Sequence, residues 1–349
     1  MKALIAADAD NNAKGQNGRS ALHFASRKGY TDIVNILLDN GASVESRDTD
    51  YGRTPLFFAA AKGQTDVVRA LVSAGADVNT QRNDGRSALS IASEEGHTEV
   101  AKMLLDNGAQ IGRTPLFFAA ANGDIEVVRA LVSAGADVNA RLSGGRAISV
   151  AWQLDISSIL RSEEYKGVYD YGLTPLLTAV VTGHIDVERE LVFAGADVNA
   201  RLGDGCSALS VACDVGCTDA VYILLHHGAQ IESKDKYGRT PLWVAAASGQ
   251  TEVVHALVSA GANVNAQDND GTSVVDVAFR KRYSDIVLVL WNNDAQMPEV
   301  GAREIVNTLI RNGAQVESRD NVYGAVCGSH IDVAPLSSQI LLLFLDSPL

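Results

Sequence analysis

The sequence has no apolar run long enough to cross a bilayer. Near the C-terminus Ile340 to Leu345 is six residues of apolar chain, against about 20 for a membrane helix. At the other end, Met1 to Asp8 holds too short an apolar run for a signal peptide. Cysteine is scarce, with four in 349 residues, too few for a disulfide framework and in keeping with a reducing compartment. No Asn-x-Ser/Thr acceptor occurs, which fits a chain that is not secreted. An excess of positive charge is missing too. A formal charge of −13 argues against a nucleic-acid backbone or an anionic membrane as the main partner, because both reward clustered Lys and Arg. It favours a neutral or basic protein partner. What is present is 46% hydrophobic and 20% charged residues, the mark of an ordered chain. A cytoplasmic protein, or else a nuclear one, and a monomer, is expected.

Self-similarity governs the rest. Gly52-Arg53-Thr54-Pro55-Leu56 returns at Gly112 to Leu116 and at Gly238 to Leu242. The motif glycine recurs at 18, 52, 85, 112, 145, 172, 205, 238 and 271. The intervals are 34, 33, 27, 33, 27, 33, 33 and 33 residues, so the period is near 33.

Each unit has a physical reading. Thr54 caps a helix through its hydroxyl. Pro55 follows at the first helical position, where a missing N–H costs nothing. Leu56, Phe58, Ala59 and Ala60 make an apolar stripe, and Gly63 turns the chain. Thr65 or Asp66 opens a second helix whose buried face is Val67, Val68, Leu71 and Val72. Gly75 ends it, and Ala76-Asp77-Val78-Asn79 leads outward to the next motif glycine. One unit cannot hide its apolar face alone, whereas stacked units bury a continuous one.

These residues resemble the ankyrin repeat, with Gly52 to Asn79 and Gly238 to Asn265 close to its pattern. The resemblance covers roughly residues 1–295 and implies a mainly α solenoid of nine to ten repeats. Helix pairs would stack with β-hairpin fingers along one edge and curve into a concave face. On this reading 1–17 is a partial repeat, 18–297 the array, and 298–349 degenerate remnants with an irregular tail. Ankyrin stacks are often appended to kinases, ubiquitin ligases, hydrolases and channels. Leu4 to Asn12 aligns without gaps to Leu71 to Asn79, so the chain starts mid-repeat. That supports a fragment of something longer as the rival to a free-standing scaffold.

Several units break the pattern. Units near 85–111 and 145–171 are short. Gln110-Ile111 runs straight into Gly112, so the finger there cannot form fully. Leu154-Asp155-Ile156 lacks the turn glycine. Arg282 and Asp294 stand where turn glycines belong. Decay or gene-model error is the plain account, and a hinge near 112 and 150 is the functional one.

Catalytic constellations do not emerge. Cys206, Cys213 and Cys217 are spaced seven and four apart, without the paired spacing of a zinc site. Cys213 takes a small-residue core position. His97 and His184 follow turn glycines, where bonding to neighbouring loop backbone is the expected role. Gly203-Asp204-Gly205 lacks the third glycine of a phosphate loop. No catalytic group, cofactor or metal is expected.

The variable positions of the unit, those flanking the motif glycine and preceding the turn glycine, are the candidates for partner binding. They hold Arg19, Lys28, Tyr51, Arg53, Lys62, Arg86, Glu94, Glu95, Arg113, Asn122, Tyr171, Leu173, Tyr237 and Arg239. Phe57, Phe117 and Trp243 share a first-helix position and are candidate groove aromatics, with helix packing the alternative. Tyr and Arg dominate binding hot spots. Arginines at 19, 53, 86, 113, 146 and 239 would form a basic stripe suited to an acidic peptide or loop, unless they pair with nearby Asp and Glu. Asn79, Asn139, Asn199 and Asn265 are expected to bond hairpin backbone.

Overall fold

The computed structural model describes residues 10–112, 114–142 and 172–296. These form sixteen helices: α1 (Ala21–Lys28), α2 (Thr31–Asp39), α3 (Pro55–Ala60), α4 (Thr65–Ser73), α5 (Ala88–Glu94), α6 (Thr98–Asp106), α7 (Thr114–Asn122), α8 (Ile125–Ser133), α9 (Pro175–Thr182), α10 (Ile185–Phe193), α11 (Ala208–Val215), α12 (Thr218–His226), α13 (Pro241–Ser248), α14 (Thr251–Ser259), α15 (Val274–Arg280) and α16 (Ser284–Trp291). They pair into eight layers. The odd-numbered inner helices form one column and the even-numbered outer helices another, each packed on the next of its kind.

The capping chemistry read from the motif is in place. The Phe57 N–H donates to Thr54 Oγ1 at 3.3 Å, and Leu177 and Trp243 repeat this on Thr174 and Thr240. Gly63 and Gly75 take φ of 64° and 88°, the left-handed region open to glycine. Arg282 and Asp294 adopt the same turn with φ of 65° and 63°. As L-residues they carry a cost of roughly 1–2 kcal/mol each.

Leu71, Val68 and their equivalents Leu131, Val128, Leu257 and Val254 are fully buried along the outer-helix seam. Each such side chain contributes on the order of 1.5–3 kcal/mol. Small residues such as Ala59, Ala60, Ala92 and Ala120, all fully buried, let the inner helices close up. The fingers are loops rather than extended hairpins. Among the described residues they hold only isolated antiparallel bridges, such as Gln81 with Ser87 and Arg201 with Ser207. Neighbouring fingers join by one backbone bond, as where the Asn83 N–H donates to Tyr51 O at 2.9 Å.

The layers on either side of residues 143–171 are direct neighbours. Helix α7 packs on α9, and α8 packs on α10. The finger asparagines prove the register. Asn79 Nδ2 donates to Gly108 O at 3.2 Å, and the Gln110 N–H donates to Asn79 Oδ1 at 2.6 Å. Asn139 makes the same two bonds to Gly195 O and the Asp197 N–H, at 3.2 and 2.7 Å. The sequence separation has doubled from 29–31 to 56–58 residues, yet the step in space is one layer. The short unit expected at 145–171, with its motif glycine Gly145, and the remnants beyond 297 lie outside the described residues. At the shortened finger, Asn122 Nδ2 donates to Ser93 O and Glu94 O at 3.2 and 2.8 Å. That ties the end of α7 to the end of α5.

Candidate partner-binding groove

The groove lies between the fingers and the exposed side of the inner helices. Part of it is an open basin of about 330 Å³ over the first three layers, lined by Arg19, Arg27, Arg53, Phe58, Lys62 and Arg82 among others. Sequence and packing build it together. The second layer supplies Phe57 and Phe58 from α3 and Tyr51 from the finger before it, and three fingers lay arginines across these rings. Arg19 and Arg53 flank Phe58 at 5.2 and 4.8 Å, Arg53 and Arg82 flank Tyr51 at 4.7 and 5.4 Å, and Arg82 also covers Phe57 at 5.4 Å. Such cation–ring contacts are worth about 0.5–1 kcal/mol at exposed sites.

Carboxylates anchor these arginines. Arg53 Nη2 contacts Asp48 at 2.7 Å and Asp50 at 3.3 Å, and Arg19 Nη2 contacts Asp50 at 2.8 Å. Asp48 is buried and also accepts from the Arg53 and Tyr51 backbone N–H groups at 2.8 and 3.2 Å. Burial by itself pushes its carboxyl up. The hydrogen bonds from Arg53 and Tyr51 outweigh burial and hold the pKa below the usual carboxylate range. Asp84 is held low chiefly by its bond to the Arg82 guanidinium. Arg86 Nη1 reaches Glu94 at 2.7 Å. Beneath them, burial lowers the pKa of His23, whose Nε2 lies 3.2 Å from Arg53 O.

A second cluster repeats the arrangement in the seventh layer. Arg239 stands over Tyr237 and Trp243 at 4.6 and 5.6 Å, and Asp235 holds its Nε at 2.7 Å. Trp243 is half-buried and donates from Nε1 to Thr272 O at 3.1 Å.

Several sequence-level expectations change here. Phe57 and Phe117 are buried, at 5% and 0% exposure. Phe117 is a packing residue of the inner-helix column rather than a groove aromatic, whereas Phe57, though mostly covered, still lines the basin beneath Arg82. Leu173 is buried as well, and its carbonyl accepts from the Leu142 N–H at 3.0 Å. The arginine stripe is neutralised internally at 19, 53, 86 and 239, so salt pairing accounts for these arginines. Arg113 and Tyr171 lie outside the described residues. Lys28, Tyr51, Lys62, Glu95, Asn122 and Tyr237 are exposed. Among the described residues, Arg27, Lys28 and Lys62 carry no ion pair. Sequence reasoning missed Arg82. The signal was its pairing across the finger turn with Arg86, whose carbonyl accepts from the Arg82 N–H at 2.9 Å.

Of the cysteines, Cys206 and Cys213 are buried, and burial pushes the Cys206 thiol up to about 12. No group of three or more His, Cys, Asp or Glu among the described residues is placed to hold a metal ion. His184 Nε2 lies 2.8 Å from Ala121 O, bonding the neighbouring turn as expected. No helix among the described residues is long and apolar enough to cross a membrane.

A stack of helix pairs with a groove under its fingers defines a helical-repeat binding protein. A family model described as ankyrin repeats in three copies matches residues 1–82, 75–141, 149–235, 189–268 and 209–300. The chain belongs to the ankyrin repeat family. The solved structure of the human ASB11 ankyrin repeat domain is similar over 70% of this chain and all of that one, with a TM-score of 0.56 and 27% identity. Among curated relatives, the ankyrin repeat and KH domain-containing protein mask-1 of Caenorhabditis elegans is 32% identical over 145 residues, 40% of this chain and 4% of that protein. A probable E3 ubiquitin-protein ligase, XBOS33 of rice, is 31% identical over 202 residues, 52% of this chain and 32% of its own length. The TRPA1 channel homologue of C. elegans is 27% identical over 199 residues, 55% of this chain and 14% of the channel. The chain thus spans at most about a third of these relatives.

Proposed function

We propose that this ankyrin array is a non-catalytic scaffold that holds a protein partner in the groove under its fingers. The observation that carries this reading is the pair of Tyr–Arg clusters, around Tyr51 and Tyr237, on an otherwise acidic molecule. In each, a partly exposed ring is covered by an arginine that a carboxylate holds in place. Rigid aromatic anchors lose little entropy on binding and are common hot spots. The proposed setting is cytoplasmic or nuclear, and the array acts as a monomer.

The test uses affinity capture from native cells with mass spectrometry. Tyr51→Ser and Tyr237→Ser are introduced together, leaving the arginine–aspartate pairs intact. Tyr222→Ser, an exposed change on the outer helix α12, is the control. Recovery of partners should fall at least tenfold for the double variant, about the effect of losing one hot spot, and stay level for Tyr222→Ser. The reverse pattern would move the binding surface to the outer helices.

A second reading makes the array the recruitment region of a longer ligase or channel polypeptide. It is supported by relatives of which the matched stretch is a minor part. Immunoblotting native cells distinguishes the two, since a band near 36.8 kDa contradicts the longer protein.

A further inference from the structure

Charge along the inner-helix ends changes sign between the second and third layers. Arg27 and Lys28 close α1, Lys62 follows the end of α3, and all three are exposed with no ion pair among the described residues. One layer on, Glu95 takes the position of Lys62 and is exposed too, while its neighbour Glu94 is committed to Arg86 at 2.7 Å. The finger arginines cannot supply net attraction, since Asp48, Asp50 and Asp84 already neutralise them. The free positive charge of the basin therefore comes from Arg27 and Lys62, over a floor of Phe58 and Ile91.

Resting on the groove reading above, we infer that the first three layers bind an extended peptide segment of a partner with a set charge order. An anionic side chain, carboxylate or phosphorylated serine, enters the basin beside Arg27 and Lys62. A Lys or Arg about three residues away pairs with Glu95. The spacing follows from geometry. Adjacent packed helices stand roughly 8–10 Å apart, and an extended chain advances about 3.3 Å per residue. Both charges on the protein are exposed and unpaired, so the match sets register and selects against peptides of reversed order. The basin's 330 Å³ accommodates a carboxylate or phosphate head without displacing the arginine–aspartate pairs.

The experiment is an array of synthetic peptides of random sequence probed with the full chain. Its members include Glu and phosphoserine at each position, to tell the two sources of anion apart. The same array is probed with the double variant Arg27→Glu, Lys62→Glu and with Glu95→Lys. All three sites are exposed, and circular dichroism checks that the fold is unchanged. The wild-type chain should enrich peptides with an acid three or so residues from a base at least tenfold over peptides of the same composition in scrambled order. The double variant should lose that enrichment, and Glu95→Lys should lose the preference for the base alone. Enrichment without charge order, enrichment unchanged in the double variant, or no enrichment at all would each overturn the inference. Peptides retained by the double variant but lost on Tyr51→Ser with Tyr237→Ser would do so while leaving the groove reading standing.

Discussion

The units at 54–86 and 174–206 share a framework and differ in what they do with it. Both open with Thr-Pro-Leu and close with Ala-Gly-Ala-Asp-Val-Asn. In the first, the groove side is charged and aromatic, with Arg53, Phe58 and Lys62, and the outer seam is apolar at Val68. In the other, the same positions are Leu173, Thr178, Thr182 and Glu188. Phe193 replaces Ser73 and stands 72% exposed. Thus the second-layer unit concentrates charge where a partner can reach it. The unit at 174–206 is neutral in the groove and has put a carboxylate into the core. A repeat framework tolerates both, because each layer's fold depends on few positions.

Removing the carboxylate of Glu188 should have the largest effect on stability. It is fully buried, and neither oxygen has a hydrogen-bond partner. Burial raises its pKa to about 7 from 4.5, with Asp219 adding to the rise and Arg189 opposing it. A raised folded-state pKa means that the protonated form fits the fold better. Its contribution to stability is full below the unfolded value of 4.5 and is lost as pH climbs through about 7. Glu188→Val restores the residue found at Val68 and should raise stability near pH 7 by about 3 kcal/mol. Urea unfolding across this pH range reads the gain. A gain independent of pH would mean that the carboxylate is not the cause.

The turn glycines give a smaller contrast. Gly63 has φ of 64°, and the ring of His97 in the next layer would sit 2.7 Å from an added Cβ. Gly183 has φ of 75° but open space, because Cys217 stands where His97 would and is too short to cover it. Gly183→Ala should cost only the left-handed strain, about 1–2 kcal/mol. Gly63→Ala should cost more, since the ring must also move. Thermal unfolding of the two variants side by side would show the order, and equal costs would mean that the histidine gives way freely.

The finger asparagines give the smallest effect. Asn79→Ala and Asn139→Ala each remove two exposed bonds to the next layer. Each should cost about 0.5–1.5 kcal/mol. Similar losses in denaturant titration are expected, because the two asparagines hold equivalent layers. A much larger loss for Asn139 would show that the junction between α8 and α10 depends on this bond more than ordinary junctions do.

The caps, turns and core of this fold were readable from sequence because each rests on local chemistry: a hydroxyl three residues from an N–H, a proline at the first helical position, a glycine where φ is positive. Arg282 and Asp294 were legible as glycine replacements for the same reason. The groove was only half legible. Phe57 and Phe117 look alike in sequence to Trp243, yet the first two are buried and the last is not, because burial depends on the residues in adjacent layers. In sequence, Arg53 stands between a free charge and a paired one, and only the fold sets Asp48, five residues earlier, against it.

Period and pattern alone determined that short helices pair, cap and stack, since every signal for that lies within one unit. The tertiary structure decided which layers are neighbours, as where α7 meets α9 across residues 143–171. It also decided which charges remain unspent after internal pairing. The first depends on contacts between units about thirty or sixty residues apart, a distance at which a repeating sequence carries no label for its partner; the second depends on side-chain geometry, even for pairs two to eight residues apart.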